Sequence, residues 1–200
     1  MKVYGIAILC CLGAVSASGS DAICFEAESA GSISAPLQIG SLTNRIPNPN
    51  WHGVEGASGG KYVEIPDRVE ESPPSPANGE AKSPAPLPSG EAVYTFEVPR
   101  DATYFLWCRV WWADECGNSF TMSFDKAIPF TFGEDGTFKF WHWVKAPQKL
   151  KQLELSKGKH TLAIRSREDG VRLDQILLTT DRRDVPVDIE AVTSPSTTAP

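Results

Sequence analysis

Two tryptophans separated by one histidine mark the stretch FKFWHWVK, residues 138–145. In an extended strand, Trp141 and Trp143 point to one face, while His142 and its apolar neighbours point to the other. A strand with large apolar side chains on both faces is either buried on both sides or keeps one face for a ligand. This stretch is therefore the first candidate for a binding surface.

Three carboxylates form the second candidate site. Glu26 and Glu28, in ICFEAESA, share one strand face and lie about 7 Å apart. Asp174, in VRLDQILL, shares a face with Ile176 and Leu178, and a buried acid is rare unless it is paired or bound to a metal. If the first and last strands are neighbours, the three carboxylates converge, and such hard oxygen ligands suit calcium. The alternative is that these acids are solvated or paired with arginine.

The cysteines and histidines predict no zinc site. The chain has five cysteines and three histidines, and it contains no C-x-x-C pair. Two of the cysteines lie in the hydrophobic N-terminal run, which leaves Cys24, Cys108 and Cys116. A compartment outside the cytoplasm would allow one disulfide, but Cys108 and Cys116 are not cross-strand partners by simple hairpin counting.

The elements that must position these residues are strands. EAVYTFEV (91–98) and SFTMSFD (119–125) alternate apolar and polar side chains, as strands with one buried face do. TYFLWCRVWW (103–112) is apolar on both faces except at Arg109, which predicts a central strand. Turn sequences such as GEDGT and SKGKH separate about nine or ten such segments, and no window keeps a helical period. The sequence therefore predicts an all-β sandwich or barrel.

The chain divides into a signal, one domain and a tail. Residues 1–22 read as a secretory signal peptide, with a basic start, an apolar run too short to span a bilayer, and small residues. A retained anchor is the alternative. We expect one domain over 23–181, with a mobile loop rich in Pro, Glu and Ser at 66–90, and a polar tail over 182–200. The expected location is secreted or periplasmic.

The charge of the chain bears on its partners. A net charge of −6 comes from 19 basic and 25 acidic residues. The basic residues are scattered, so nucleic acid is not an expected partner. No later stretch approaches the length of a membrane span, so we expect no membrane association after signal cleavage, and we expect a monomer.

Six motifs occur in order within Ile23 to Thr180, namely FEAES, GASGGKYVEI, YFLWCRVWW, GNSFTMSFD, FWHWV and LSKGKHTLAIRSREDGVRLDQILLT. In these motifs and their order the chain resembles family 6 and family 35 carbohydrate-binding modules, outside the proline-rich insert. The resemblance implies a galactose-binding-like jelly roll, a β-sandwich of two antiparallel sheets. It also implies a structural calcium held by Glu26, Glu28 and Asp174.

The resemblance further implies a sugar site in the loops at one end of the sandwich. Aromatic rings there stack on the weakly apolar faces of sugars, and a few polar groups bind the hydroxyls. The similar positions in this chain are Trp51, Trp112, Asn118, Trp141, Trp143, Arg167, Glu168 and Asp169. We expect Trp141, nearer the GEDGT loop, to be the exposed ring and Trp143 to support it. The other side of that strand is then expected to face the core with Phe138, Phe140, His142 and Val144.

One departure from these modules bears on function. Many of them carry an asparagine shortly before the last-strand aspartate, where this chain has Gly170-Val171-Arg172. The leading prediction is a non-catalytic module that binds polysaccharide or oligosaccharide. The alternative is a structural or cell-surface interaction domain that kept the fold and lost sugar binding. A small glycoside hydrolase or lyase is the third hypothesis and would need paired carboxylates at a suitable separation.

Overall fold

The computed structural model describes residues 21–41, 56–67, 89–147 and 153–193. Within these residues the chain is all-β, with two short 3-10 turns at Ala27–Ser29 and Ser58–Gly60. The strands are β1 (Ala22–Glu26), β2 (Ser32–Ile33), β3 (Gln38–Ser41), β4 (Lys61–Ile65), β5 (Glu91–Val98), β6 (Ala102–Trp112), β7 (Ser119–Phe124), β8 (Phe130–Gly133), β9 (His142–Lys145), β10 (Leu153–Leu155), β11 (Gly158–Arg165) and β12 (Val171–Thr179).

The strands form two antiparallel sheets. The larger sheet has seven strands in the order β10-β6-β12-β4-β3, with β9 also paired to β6 and β1 also paired to β12. The smaller sheet has five strands in the order β2-β5-β11-β7-β8. The predicted all-β sandwich of two antiparallel sheets is confirmed. The first and last strands are neighbours, which the convergence of the three carboxylates requires.

Alternating side chains decide which face of each strand is buried. In β5, Ala92, Tyr94, Phe96 and Val98 are at most 4% exposed, and the residues between them are half-buried or exposed. The strand β12 is different because all nine of its residues are buried, so it is covered on both faces. Side chains from the inner faces of both sheets form one continuous apolar core.

The stretch FKFWHWVK is not one continuous strand. Lys139 has a φ of 65°, a left-handed conformation that interrupts an extended chain, and β9 begins only at His142. Phe140 is 56% exposed, so its predicted place in the core is wrong. Val144 is 6% exposed, and Phe138 is partly buried against the core, as expected. The interruption at Lys139 turns Phe140 out of the alternation that a continuous strand would impose.

The segment after β12 packs against the larger sheet. The Trp143 Nε1–H donates to the Asp188 carbonyl at 2.9 Å. The Thr193 N–H donates to the Cys24 carbonyl at 2.9 Å, and the Thr193 hydroxyl accepts the Cys24 N–H at 2.9 Å. The polar tail predicted from residue 182 is thus docked on the domain as far as Thr193.

Several predictions fall outside the described residues. The signal peptide does so up to residue 20, the proline-rich insert over 68–88, and the loop that carries Trp51 over 42–55. In the part of the chain that the structure describes, no helix is long and apolar enough to cross a membrane. The three cysteines in that part are free thiols, namely Cys24, Cys108 and Cys116.

His160 and Asp125 form a charged pair near the start of β11. His160 is 8% exposed, with Nδ1 at 2.9 Å from Asp125 Oδ2 and Nε2 at 2.8 Å from the Ser156 carbonyl oxygen. Both partners are acceptors, so the ring makes both bonds only when both nitrogens carry protons. Burial alone would lower the pKa of His160, but these two bonds raise it above its ordinary value.

We expect the domain to lose stability as the pH rises through the raised pKa of His160. A group whose folded pKa is raised stabilises the fold fully below its unfolded pKa, 6.5 for histidine, and loses that contribution above the folded value. Urea unfolding at about pH 5.5 and about pH 8.5 should show this loss in the wild type and a smaller one in His160→Gln. The same pH dependence in the wild type and in His160→Gln would contradict a stabilising role for protonated His160.

Candidate functional site

Four side chains form a row across the outer face of the larger sheet, the face turned away from the core. Strand register places Trp111 of β6, Arg172 of β12 and Glu64 of β4 side by side. The Arg172 guanidinium lies 4.1 Å from the centroid of the Trp111 ring, and its Nε lies 3.4 Å from Glu64 Oε2. Gln38 of β3 ends the row and donates to Glu64 Oε1 at 2.9 Å. Arg172 and Glu64 are buried, whereas Trp111 is partly exposed.

Trp141 lies beside this row and is also partly exposed. Its ring centroid is 5.4 Å from the Arg109 guanidinium carbon and 5.7 Å from the Tyr62 ring centroid. Gly56 has a φ of 92°, and a Cβ there would lie 3.4 Å from the indole, so the ring packs directly on the glycine backbone. We call Tyr62, Trp111 and Trp141 the aromatic patch.

A buried ion pair supports Trp141. Arg109 Nη1 donates to Asp174 Oδ2, and the two side chains are 9% and 0% exposed. Arg109 also donates to the Gly56 carbonyl at 3.0 Å, and Asp174 Oδ1 accepts the Ser58 N–H at 2.8 Å. Burial raises the pKa of Asp174 to about 6, although Arg109 and the Ser58 amide oppose the rise. The carboxylate that looked anomalous among apolar residues therefore has an arginine partner.

Glu26 and Glu28 lie near Asp174, because β1 pairs with β12. Glu26 Oε1 accepts the Ser58 hydroxyl at 2.6 Å and Gln175 Nε2 at 3.2 Å. The Oε2 atoms of Glu26 and Glu28 are buried and accept no hydrogen bond. Burial raises the pKa of Glu28, and the charges on Glu26 and Asp174 add to the rise. Among the described residues, no group of three or more His, Cys, Asp or Glu side chains is arranged to hold a metal ion.

The structure brings Asn118, Arg167 and Glu168 together at one end of the sandwich. Glu168 Oε2 accepts the Asn118 backbone N–H at 3.2 Å and the Ser119 hydroxyl at 2.5 Å. Arg167 donates to Glu168 Oε1 and to Ser119 Oγ, and it pairs with Glu134 at 3.2 Å. These polar groups bind one another and join three loops, so the geometry indicates a structural role for them.

Trp112 is a core residue, which corrects its prediction as a sugar-stacking ring. It is 0% exposed, and its ring centroid lies 5.8 Å from that of Phe120. Its Nε1–H donates to Asp135 Oδ1 at 2.9 Å. Strand alternation sends neighbouring side chains to opposite faces, so Trp112 enters the core and Trp111 reaches the outer face. The prediction of an exposed ring is therefore wrong for Trp112.

The remaining predicted residues are divided between the outer face, the loops and the segment that is not described. Trp143 lies on the outer face, where its ring packs against a small apolar cluster of Cys24, Trp107 and Leu177. Asp169 is partly exposed in the turn before β12. Trp51 lies outside the described residues.

Sequence reasoning missed most of the aromatic patch and its cations. Arg172 alternates with the apolar Val171 and Leu173, which indicates a different environment from theirs. Arg109 is the one charged residue within an apolar strand, a pattern that indicates a buried pair. The sequence shows that Arg172 and Arg109 are unusual at their positions, but it does not show which residue each one contacts across the sheet.

Solved structures resemble this chain, although no protein-family model and no curated protein matches it. A GH26-CBM35 β-(1,4)-mannanase from Podospora anserina has a TM-score of 0.55 and 16% identity, over 84% of this chain and 30% of that chain. An exo-β-1,3-galactanase from Phanerochaete chrysosporium has a TM-score of 0.52 and 15% identity, over 79% of this chain and 29% of that chain. The C-terminal CBM6 of LamC from Zobellia galactanivorans has a TM-score of 0.48 and 15% identity, over 80% of this chain and 99% of that chain.

The similarity to the mannanase and the galactanase concerns a part of each. The chain spans 30% and 29% of their lengths, with TM-scores above 0.5. At identities of 16% and 15%, the similarity is one of fold. The chain therefore shares the two-sheet β-sandwich fold of the matched part of each enzyme structure.

Proposed function

We propose that the chain is a carbohydrate-binding module that recognises a polysaccharide or oligosaccharide on its aromatic patch. The observation that carries the proposal is the partial exposure of Trp111 and Trp141 on the outer face of the larger sheet. Sugars have a weakly apolar face and a rim of hydroxyls, so they bind flat rings flanked by fixed polar groups. Arg109 and Tyr62 hold Trp141 in place, which lowers the entropic cost of binding.

We propose binding without catalysis. Most glycoside hydrolases need two carboxyl groups on either side of the scissile bond, roughly 5 to 9.5 Å apart. The two buried carboxylates beside the aromatic patch are paired within the protein, Glu64 with Arg172 and Asp174 with Arg109. Release of reducing sugar from a bound glycan would contradict this part of the proposal.

Trp141→Ala is expected to weaken glycan binding roughly 30-fold or more, because a central tryptophan in a binding site contributes about 2 kcal/mol or more. Isothermal titration against plant, algal and host glycans measures the effect. Trp143→Phe is the matched control, since it keeps an aromatic ring and removes only the 2.9 Å bond to the Asp188 carbonyl. Its affinity should equal that of the wild type.

Two results would count against the binding site. Equal affinity of Trp141→Ala and the wild type would exclude the aromatic patch. Binding of the wild type to no glycan, with an intact fold by circular dichroism, would favour a structural or cell-surface interaction domain.

We propose that a calcium ion binds at Glu26 and Glu28. The support is the pair of buried Oε2 atoms, which accept no hydrogen bond and are costly to bury without a partner. Carboxylate oxygens are the ligands that calcium prefers, and the ion would stabilise the fold. Asp174, the third predicted ligand, has both oxygens bonded to protein groups, so we place it beside the ion.

Calcium is expected to raise the melting temperature and EDTA to lower it, because a cation bound only by the folded state stabilises that state. Differential scanning fluorimetry of the wild type should show both shifts. The double variant Glu26→Gln/Glu28→Gln should respond to neither addition. If neither calcium nor EDTA changes the melting temperature of the wild type, no calcium ion binds at Glu26 and Glu28.

We also propose that the protein is secreted or periplasmic and monomeric. The apolar run after Lys2, followed by small residues, supports export. Cell fractionation and size-exclusion chromatography with light scattering test the two statements separately.

A further inference from the structure

The first three members of the outer-face row each have an aspartate three residues away in sequence, after Trp111, after Glu64 and before Arg172. These aspartates are Asp114, Asp67 and Asp169. Because β12 runs antiparallel to β4 and β6, all three lie beyond the same end of the sheet. Backbone bonds join their loops, since Ala113 N–H donates to the Gly170 carbonyl at 3.1 Å and Gly170 N–H donates to the Ile65 carbonyl at 2.9 Å.

The three carboxylates are close enough to act on one another. A Cβ on Gly170 would lie 3.9 Å from Asp67 Cγ, and a Cβ on Gly117 would clash with the Asp169 carbonyl. Burial raises the pKa of Asp67, and the charges on Asp169 and Asp114 add to the rise, while the charge on Arg172 opposes it. Asp67 and Asp114 are exposed and Asp169 is partly exposed, so solvent reaches all three side chains, although Asp114 Oδ1 accepts the Cys116 N–H at 2.8 Å.

The whole loop end around them is acidic. Its described loops are 66–67, 113–118, 134–141 and 166–170. Their acidic side chains are Asp67, Asp114, Glu115, Glu134, Asp135, Glu168 and Asp169. Their basic side chains are Lys139 and Arg167, and Arg167 is already bonded to two of the acids. Seven acidic against two basic side chains make negative charge dominate this end of the described domain.

We propose that the aromatic patch selects glycans that carry free amino groups, the 2-amino-2-deoxy sugars whose nitrogen is an ammonium group. This inference rests on the proposed carbohydrate binding and names the ligand class of the same site. An ammonium group is attracted to an indole face and forms charge-assisted hydrogen bonds with carboxylates. Trp111 and the three aspartates bring both kinds of group to one end of the sheet.

The same charges oppose acidic sugars. Uronic acids and sulfated sugars would approach an end dominated by carboxylates, and like charges at an interface suppress binding. Arg172 does not reverse this effect, because it is 3% exposed and lies between Trp111 and Glu64. The charge of the ligand therefore decides selectivity, while stacking on the rings is common to all sugars.

The inferred selectivity for amino sugars can be tested by titration calorimetry of the wild type. Four hexasaccharides of equal length, with β-1,4 or α-1,4 linkages, serve as ligands. The probes are hexamers of glucosamine, N-acetylglucosamine, glucose and galacturonic acid. We expect the glucosamine hexamer to bind about tenfold more tightly than the N-acetylated and glucose hexamers, and the galacturonic acid hexamer most weakly. The preference should shrink with added salt, because exposed charges are screened.

A charge-matched pair of triple variants locates the effect. Asp67→Asn/Asp114→Asn/Asp169→Asn should lose the preference for the glucosamine hexamer and keep its affinity for the glucose hexamer. Glu97→Gln/Glu154→Gln/Asp188→Asn changes the net charge equally at other places and should keep the preference. Trp111→Ala should weaken binding of every hexamer.

The outcomes separate the inference from the proposed function. If the wild type binds the neutral hexamers as tightly as the glucosamine hexamer, or the first triple variant keeps the preference, the inference is wrong and carbohydrate binding stands. If the glucosamine hexamer binds Trp111→Ala as tightly as the wild type, the attraction is nonspecific and the inference is also wrong. If no hexamer and no other glycan binds, both proposals fail.

Discussion

Arg109→Ala is expected to lower the free energy of unfolding by about 3–5 kcal/mol, because it leaves the Asp174 carboxylate buried without its counter-charge. The two side chains are 9% and 0% exposed, so water does not replace the lost guanidinium. The change also removes the 3.0 Å bond to the Gly56 carbonyl and the cation beside Trp141. Urea unfolding followed by tryptophan fluorescence measures the loss.

Arg183→Ala is the matched control for Arg109→Ala. Arg183 and Asp181 form an ion pair at 3.6 Å in which the arginine is 91% exposed, and such surface pairs contribute about 0–1 kcal/mol. Adding Asp174→Asn to Arg109→Ala should restore part of the stability, because the uncompensated charge is then removed. A loss for Arg109→Ala no larger than that for Arg183→Ala would refute the buried ion pair.

Trp112→Ala is expected to cost about 3–5 kcal/mol of stability, because it empties a large volume between the two sheets. Trp112 is 0% exposed and packs against Phe120, with its Nε1–H bonded to Asp135 at 2.9 Å. Trp112→Phe should cost less, since it keeps most of the ring volume and removes that one bond. Chemical denaturation of both variants gives the two losses.

Trp111→Ala is the matched control for Trp112→Ala, with the same change at the adjacent residue of β6. Its ring is partly exposed on the outer face, so its loss of stability should be smaller and its loss of glycan affinity larger. Trp112→Ala should keep wild-type affinity at temperatures where it is folded. The opposite result, with the larger loss of glycan affinity in Trp112→Ala, would place the binding ring at Trp112 and contradict its assignment to the core.

The sandwich could be predicted because alternation is a local property of the sequence. The apolar positions of 91–98 and 119–125 read as strands with one buried face, and both are strands with those side chains in the core. The continuous apolar run of 103–112 became a central strand paired with β12 on one side and β9 on the other. Each of these predictions needed only the period of the side chains.

The errors arose where two faces of one strand looked equally apolar. Trp111 and Trp112 are both large and aromatic, and only the position of the sheet decides which ring is covered. The predicted place of Phe140 in the core requires an unbroken strand, but the left-handed conformation of Lys139 interrupts the strand. Neither outcome follows from residue type, because both depend on how the chain packs against the larger sheet.

The candidate site could be predicted in part. The sequence made the approach of Glu26 and Glu28 to Asp174 conditional on the first and last strands being neighbours, and β1 does pair with β12. The partner of Asp174 could not be read in the same way, because Arg109 lies 65 residues away and reaches it across the sheet. The calcium ion and the sugar specificity stay predictions.

The bonds between Cys24 and Thr193 hold the first strand beside the segment that follows the last strand. Asp21 N–H donates to Thr180 Oγ1 at 3.1 Å, and Thr180 N–H donates to the Asp21 carbonyl at 3.1 Å, so a second pair of bonds lies along the same edge. Domains in which the first strand meets the segment after the last strand tolerate circular permutation and insertion into a host loop. A short linker would therefore join residue 193 to residue 21, and new ends opened beside the exposed Ile128 would leave the aromatic patch intact.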